Sequence, residues 1–291
     1  MQRPWTRLIF FLPWLALTGG FLAFLWPAES HGAPADKTDK LATRAMDDLN
    51  WREFQKLVPE KIDTVLLTVG TLEPHGVINN GADNTAPVAL ARALAEDVNA
   101  LIAPHIPYGI TGALAPYPGA LHIPEDAFRA YVRAVLMGLV RTGFRKIIVL
   151  NGHGGSQTDV LESVTREVAL ERGVAILLTN WWTLCSDVTQ EVFGEDGGHA
   201  GINETAFIQA IDPKLVHRDL YTGPDMATAN PPKGAWSATP FPSSIGLYKP
   251  GQGYPKDFDQ KKADEYFRRV VAKVGALIKD TVRKWRMAGF R

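Results

Sequence analysis

With one cysteine among its 291 residues, the chain has no partner for an internal disulfide. That thiol, Cys185, follows Trp181-Trp182-Thr183-Leu184. None of these residues supplies a base or an activating charge, so a small buried hydrophobe is expected there rather than a nucleophile. An excess of charge is missing too: Lys+Arg and Asp+Glu both number 31, so the formal net charge is zero. No basic run interleaved with aromatics is present, which argues against nucleic acid as a partner. Internal repeats and signs of a second domain are also lacking. What remains, 46% hydrophobic and 21% charged, suits one ordinary globular domain large enough for a substantial core.

The N-terminus carries Arg3 and Arg7, then an apolar stretch from Leu8 to Trp26, then Ala33-Pro34-Ala35 ahead of Asp36. A positive start, an apolar segment and a small-x-small site form a secretory signal. Residues 1–35 are therefore expected to be a cleaved leader and residues 36–291 the working domain, exported to the periplasm or secreted. Retention would make residues 8–26 a membrane anchor, since that length nearly spans a bilayer; a membrane partner is expected only in that case.

Further along, polar residues 36–50 read as a linker or an early helix. The β-branched run Thr64–Val69 reads as a buried strand ending at Gly70. Asp83-Asn84-Thr85 reads as a cap for a helix from Ala86 to Val98, with Pro87 in its first turn. A short strand is expected near Leu101–Ile106. A helix then runs from Pro124-Glu125-Asp126 to Gly143, with Phe128, Tyr131, Val132, Val135, Leu136 and Leu139 inward. Lys146–Leu150 is a second buried strand, a helix spans about Thr158–Glu171, and Val174–Thr179 is the next strand. Residues 222–256, dense in Gly, Pro and Ser with Trp236, Phe241, Tyr248 and Tyr254, form a loop long enough to be functional. An amphipathic helix from Lys256 to Trp285 closes the chain. Alternating strands and helices predict a single layered α/β/α domain with a mainly parallel central sheet.

Three segments concentrate metal-ligand side chains at strand ends or before a helix. Glu73 and His75 stand two apart in an extended segment, a spacing that turns both to one side, and Asp83 returns from a Gly/Asn-rich loop. Carboxylate and imidazole together suit Zn, Mn or Fe better than Mg or Ca. Asn151-Gly152-His153-Gly154-Gly155 follows a strand, at the edge where open α/β sheets bind ligands. In His199-Ala200-Gly201-Ile202-Asn203-Glu204-Thr205, the histidine precedes a helix that contains Glu204. Taken singly, each has a plainer explanation. A histidine in a glycine turn usually satisfies a backbone group, and Glu204 alone would be a solvated helix residue. A phosphate cradle is disfavoured because no lysine follows the glycines. His122 lies near the Pro118-Gly119 loop and could line the pocket, whereas His105 and His217 have no evident partners.

Together, Glu73-Pro-His75-Gly with Gly-Ala-Asp83, Asn-Gly-His153-Gly-Gly and His199-Ala-Gly-x-x-Glu204-Thr resemble the creatininase (creatinine amidohydrolase) family. Tyr117-Pro118-Gly119-Ala120-Leu121 is similar to that family's Pro-Gly-Thr loop. The resemblance covers residues 48–212 and implies a layered α/β fold, usually assembled as a hexamer, with two divalent metal ions per chain. It implies that Glu73 and His153 hold one ion, His75 the other, and Asp83 bridges them. Glu204 is the candidate for the remaining ligand, and His199 would donate a proton to the leaving nitrogen. Departures from the family pattern are Val77-Ile78-Asn79-Asn80 on the pocket rim, and Gly155 and Gly198 where creatininase proper has carboxylates. They argue against creatinine as substrate and resemble the branch with Asn-Gly-His-Gly-Gly, which includes formamide-cleaving and peptide-trimming enzymes. The expectation is hydrolysis of a non-peptide C–N bond, in a cyclic amide or formamide of a small nitrogenous molecule, by a metal-activated hydroxide. Asn151, Ser156, His122 and Trp182 are candidates to bind that substrate. A metal-dependent peptidase acting on a short peptide and a non-catalytic periplasmic binding protein are the alternatives.

Overall fold

The structure, a computed structural model, describes residues 41–195, 197–220, 238–240 and 259–290. The expected leader at 1–35, and the aromatic loop at 222–256 apart from 238–240, lie outside the described residues. Four strands, β1 (Thr64–Val69), β2 (Ala100–Ile102), β3 (Lys146–Asn151) and β4 (Ala175–Asn180), form one sheet in the order β2-β1-β3-β4. Every pairing is parallel, with Thr64 opposite Lys146 and Lys146 opposite Ala175.

Alternation along the strands divides the core. Leu66, Ile148 and Leu150 face one layer of helices, and Val65, Leu67, Val69, Ile147 and Val149 face the other. Helices α1 (Trp51–Leu57), α2 (Ala82–Leu94), α3 (Glu125–Arg141) and α4 (Ser156–Arg172) are followed by two short ones, α5 (Trp181–Leu184) and α6 (Ser186–Phe193). Then come α7 (Ile202–Ile211) and α8 (Gln260–Met287). Helices α2, α7 and α8 cover the first face, and α1, α3 and α4 the second. The layered α/β expectation holds. Among the described residues no helix is long and apolar enough to cross a membrane.

The connection after β1 leaves toward one layer and the connection after β3 toward the other. This opens a crevice between the carboxyl ends of these neighbouring strands, where ligands bind in open α/β sheets. At the opposite edge, Lys146 is fully buried and its ammonium is paired with Asp63. Burial pushes the Asp63 carboxyl up, but the Lys146 bond and charge outweigh it and hold the carboxyl low.

Three expectations need correction. Helix α2 begins at Ala82, not Ala86, so Asp83 sits in its first turn and does not cap it. Asn84 and Thr85 donate their N–H groups to the Gly81 carbonyl, which starts the helix early. Pro87 therefore falls in the second turn and not the first, where it lacks the N–H that would have bonded the Asp83 carbonyl. Tyr131 was expected inward and is 54% exposed. At about 100° per residue it lies roughly a quarter turn from the stripe formed by Phe128, Val132, Leu136 and Leu139. His105 does have partners: Nδ1 meets Thr68 at 2.8 Å (Oγ1) and 3.0 Å (carbonyl), and Nε2 meets Asn84 Oδ1 at 2.9 Å.

Candidate metal centre

At the crevice, residues from three chain segments converge. The segment after β1 folds back on itself: Glu73 N–H donates to the Asn80 carbonyl and Ile78 N–H to the His75 carbonyl. This turns Glu73 and His75 inward, both buried. Asp83 arrives on the first turn of α2, wedged against backbone. A Cβ on Gly152 would sit 1.9 Å from the Asp83 carbonyl oxygen, and one on Gly70 would sit 2.3 Å from it. Only glycine permits that approach at either position. His153 comes from the turn after β3, and His199 and Glu204 from the entry to α7.

His75 Nε2 lies 3.1 Å from Asp83 Oδ1 and 3.6 Å from Glu204 Oε2. His153 Nδ1 lies 2.9 Å from Asp83 Oδ2 and 3.1 Å from Glu73 Oε1. Asp83 thus turns one oxygen to each histidine. The result is two groups able to hold a metal ion, Glu73/Asp83/His153 and His75/Asp83/Glu204, joined through Asp83. A third grouping, Glu73/His75/His199, overlaps them. His75 Nδ1 faces the Glu73 carbonyl at 3.0 Å. A carbonyl only accepts, so this nitrogen carries the proton and Nε2 is the inward one. By the same logic His199 Nε2 donates to the Pro74 carbonyl at 2.9 Å, leaving Nδ1 toward Glu73 Oε1 at 3.5 Å.

Both Glu73 oxygens, Asp83 Oδ2 and His75 Nε2 are buried without a hydrogen bond. Leaving four such atoms unpaired would be costly in an ordinary core. Cations at this point would satisfy all of them, so the donor set fits divalent metal ions. The electrostatics agree. Burial opposes the charged His75, yet Asp83, Glu204 and Glu73 push it up to about 10. His153 is raised for the same reason, by Glu73 and Asp83. Burial lifts Glu204 to about 7 and also raises Glu73, while His75 and His153 overcome burial to hold Asp83 low. His199 goes the other way: burial, then the charge of His75, takes it to about 3. In the absence of metal the cluster keeps protons where cations would otherwise sit.

The remaining candidates are more scattered. Asn151 is fully buried beneath the His153 turn, and Ser156 opens α4. Trp182 approaches Gly154, whose Cβ position is 3.7 Å from its ring. His122 is exposed and bridges backbone with Gly109. Cys185 is fully buried and burial pushes its thiol up to about 12, consistent with an inert role.

Two features at the site were not anticipated from sequence. Ala200 adopts φ +51°, a left-handed conformation unusual for alanine, and its N–H donates to Glu204 Oε2 at 2.6 Å. Gly198 N–H is held by Asn203 Oδ1 at 2.9 Å. The glycines flanking His199 are the signal that an irregular turn lies there; the partners of the turn leave no local trace.

The family model described as creatininase, creatinine amidohydrolase, matches residues 47–278. Creatinine amidohydrolase of Pseudomonas putida is 26% identical over 224 residues, 69% of this chain and 86% of that protein. The 3-dehydro-scyllo-inosose hydrolase of Thermotoga maritima is 29% identical over 175 residues, 55% of this chain and 54% of that one. A mycofactocin precursor peptide peptidase of Mycobacterium ulcerans is 27% identical over 177 residues, 56% and 64% respectively. The match therefore spans less than two thirds of the latter two proteins. Among solved structures, a crystal structure of creatininase superposes with a TM-score of 0.69 at 22% identity, covering 83% of this chain and 98% of that one. Solved creatininases include one designated Mn and one designated Zn-Zn type.

Proposed function

The chain belongs to the creatininase family and is a hydrolase, and from that premise we propose that it cleaves a non-peptide C–N bond with two divalent ions. The substrate class is a cyclic amide or formamide of a small nitrogenous molecule. The observation that carries this reading is the pair of ligand groups sharing Asp83, with buried carboxylate oxygens that have no hydrogen bond. Zn, Mn and Fe are the metals whose ligand preferences match two imidazoles and three carboxylates.

In this reading Glu73, Asp83 and His153 hold one ion, and His75, Asp83 and Glu204 the other. When bound, such ions polarise a carbonyl and make water nucleophilic near neutral pH. His199 moves the proton. Its Nε2 is fixed on the Pro74 carbonyl, so Nδ1 accepts the proton lost by the attacking water and returns it to the departing nitrogen. Burial keeps this ring unprotonated beforehand, as the first transfer requires. Trp182, beside Gly154, and Ser156 are the side chains proposed to meet the substrate.

A second reading, trimming of a short peptide, has its own support in the likeness to mycofactocin precursor peptide peptidases. A cleaved leader at residues 1–35, with work outside the cytoplasm, and a hexameric assembly are part of the same proposal. Metal content and substrate range test the whole proposal. The parent chain should hold two divalent ions, and Asp83→Ala should lose both along with activity. A panel of cyclic amides and formamides beside short peptides separates the two readings. Full metal content and activity in Asp83→Ala would sink the mechanism.

A further inference from the structure

We infer that Asn151 is a positioning residue for His153, gripping it through a chain of side-chain amides, and not a substrate contact. An asparagine side chain offers two N–H donors and two oxygen lone pairs. In Asn151 all four are spent. Its Nδ2 lies 2.6 Å from the His153 carbonyl, 2.8 Å from Asn180 Oδ1 and 3.1 Å from Thr158 Oγ1. Its Oδ1 accepts from His153 N–H at 3.2 Å and from Gln157 Nε2 at 3.0 Å. No donor or lone pair is left for a substrate, and the residue is fully buried.

One side chain thus holds both backbone polar groups of His153. The grip matters because Gly152, Gly154 and Gly155 give the turn no side chains of its own to pack. Gly155 also takes φ 59°, ψ −146°, a conformation essentially reserved to glycine. The chain of amides continues past Asn151: Gln157 Oε1 accepts the Ile110 N–H at 3.0 Å. A Cβ on Gly109 would fall 1.8 Å from that oxygen, so the backbone there is shaped around the amide. Ile110, Gln157 on α4, Asn151 ending β3 and Asn180 ending β4 are joined across the carboxyl edge of the sheet. A network of neutral groups beneath a ligand fixes its direction without adding charge.

His75 is fastened separately, by its own bond to the Glu73 carbonyl and by the Ile78 N–H on its carbonyl. Breaking the amide chain therefore loosens the Glu73/Asp83/His153 half and spares the His75/Asp83/Glu204 half. This rests on the two-ion reading above, and its signature is unequal loss.

The test is a titration of the metal-free full chain with Zn(II) against a chromophoric chelator. In Asn151→Ala one site should weaken roughly 10–100-fold, the range found when outer partners of metal ligands are removed, while the other keeps its affinity. In a His153→Ala background the same substitution should add nothing. Two parental affinities in folded Asn151→Ala, or equal loss at both sites, overturns the inference. If that variant fails to fold, Asn180→Ala decides, since it removes a single partner: a smaller weakening confined to one site supports the grip, and parental affinities overturn it. A parent that takes up fewer than two ions sinks the dinuclear reading instead. The grip is then judged on the metal-free protein by ring NMR signals of His153. Signals that are single in the parent and averaged or doubled in Asn180→Ala support it, and unchanged signals overturn it.

Discussion

His199 Nδ1 is the one inward imidazole nitrogen whose basicity is lowered, because the ring is buried next to a charged His75. His199→Ala should therefore keep both ions and lower kcat by 10²–10⁴-fold, the usual worth of a positioned acid–base group. Loss of an ion in that variant would show that His199 is a ligand, through the Glu73/His75/His199 grouping. The same cluster sets a pH dependence in the metal-free protein. His75 is raised from 6.5 to about 10, so its stabilisation is complete below 6.5 and is lost as pH climbs through about 10. Glu204, raised by burial to about 7, acts in the same direction over a lower range. His199 opposes them only below 6.5, where folding keeps it unprotonated. Between pH 7 and 10 the thermal midpoint of metal-free protein should fall, and saturating Zn(II) should flatten or reverse that fall. A metal-free midpoint that climbs across this window contradicts the charge arrangement. All six residues of the cluster could be read from sequence, because ligand side chains recur at strand ends with motif spacing. The role of Asn151 could not, since spacing does not show that its amide closes on His153, Gln157 and Thr158 nearby, and Asn180 lies 29 residues away.

Helix α2 carries the shared carboxylate in its first turn, and its seat is made of glycine. Gly152→Ala would put a methyl group 1.9 Å from the Asp83 carbonyl oxygen, against backbone that has nowhere to go. We expect a cost of about 1–3 kcal/mol, as for other overpacked sites, with a larger proportional loss of metal because Asp83 serves both halves. Denaturant unfolding read beside metal content checks this, and a variant with parental values of both would contradict the wedge. Strands β1 and β3 could be read almost to the residue, since continuous β-branched runs buried on both faces have no rival interpretation. The start of α2 could not. Asp83-Asn84-Thr85 has the composition of a helix cap, and the competing signal, Gly81 accepting two N–H groups, depends on how the preceding loop returns. Tyr131 departs from its sequence pattern for a related reason: apolar character alone does not say how wide a stripe the facing layer covers.

At the scale of the molecule, the sheet order puts the crevice between β1 and β3, and the site gathers ligands from across some 130 residues of sequence, Glu73 to Glu204. Ions bound there, as proposed, would tie those segments together only in the folded state. Free Zn(II) at 100 times its dissociation constant should add about 2.7 kcal/mol per independent site. For a domain of this size that is roughly 5–10 °C in midpoint. Calorimetry with and without chelator checks it, and equal midpoints would mean that the cluster does not bind metal in the folded chain. Strand and helix alternation made the architecture readable; the crossing of β1 by the β2-to-β3 connection was not, because sequence does not say on which side of a strand its successor lies. Helix α8 contributes no ligand, yet it packs along α7, burying Tyr266 against Thr189 and edge-on to Phe207. Glu204 therefore waits for residues 260–287 before its helix is seated. A chain still emerging from the ribosome has only part of the cluster, so under the two-ion proposal uptake of metal would come last, once the final helix has docked.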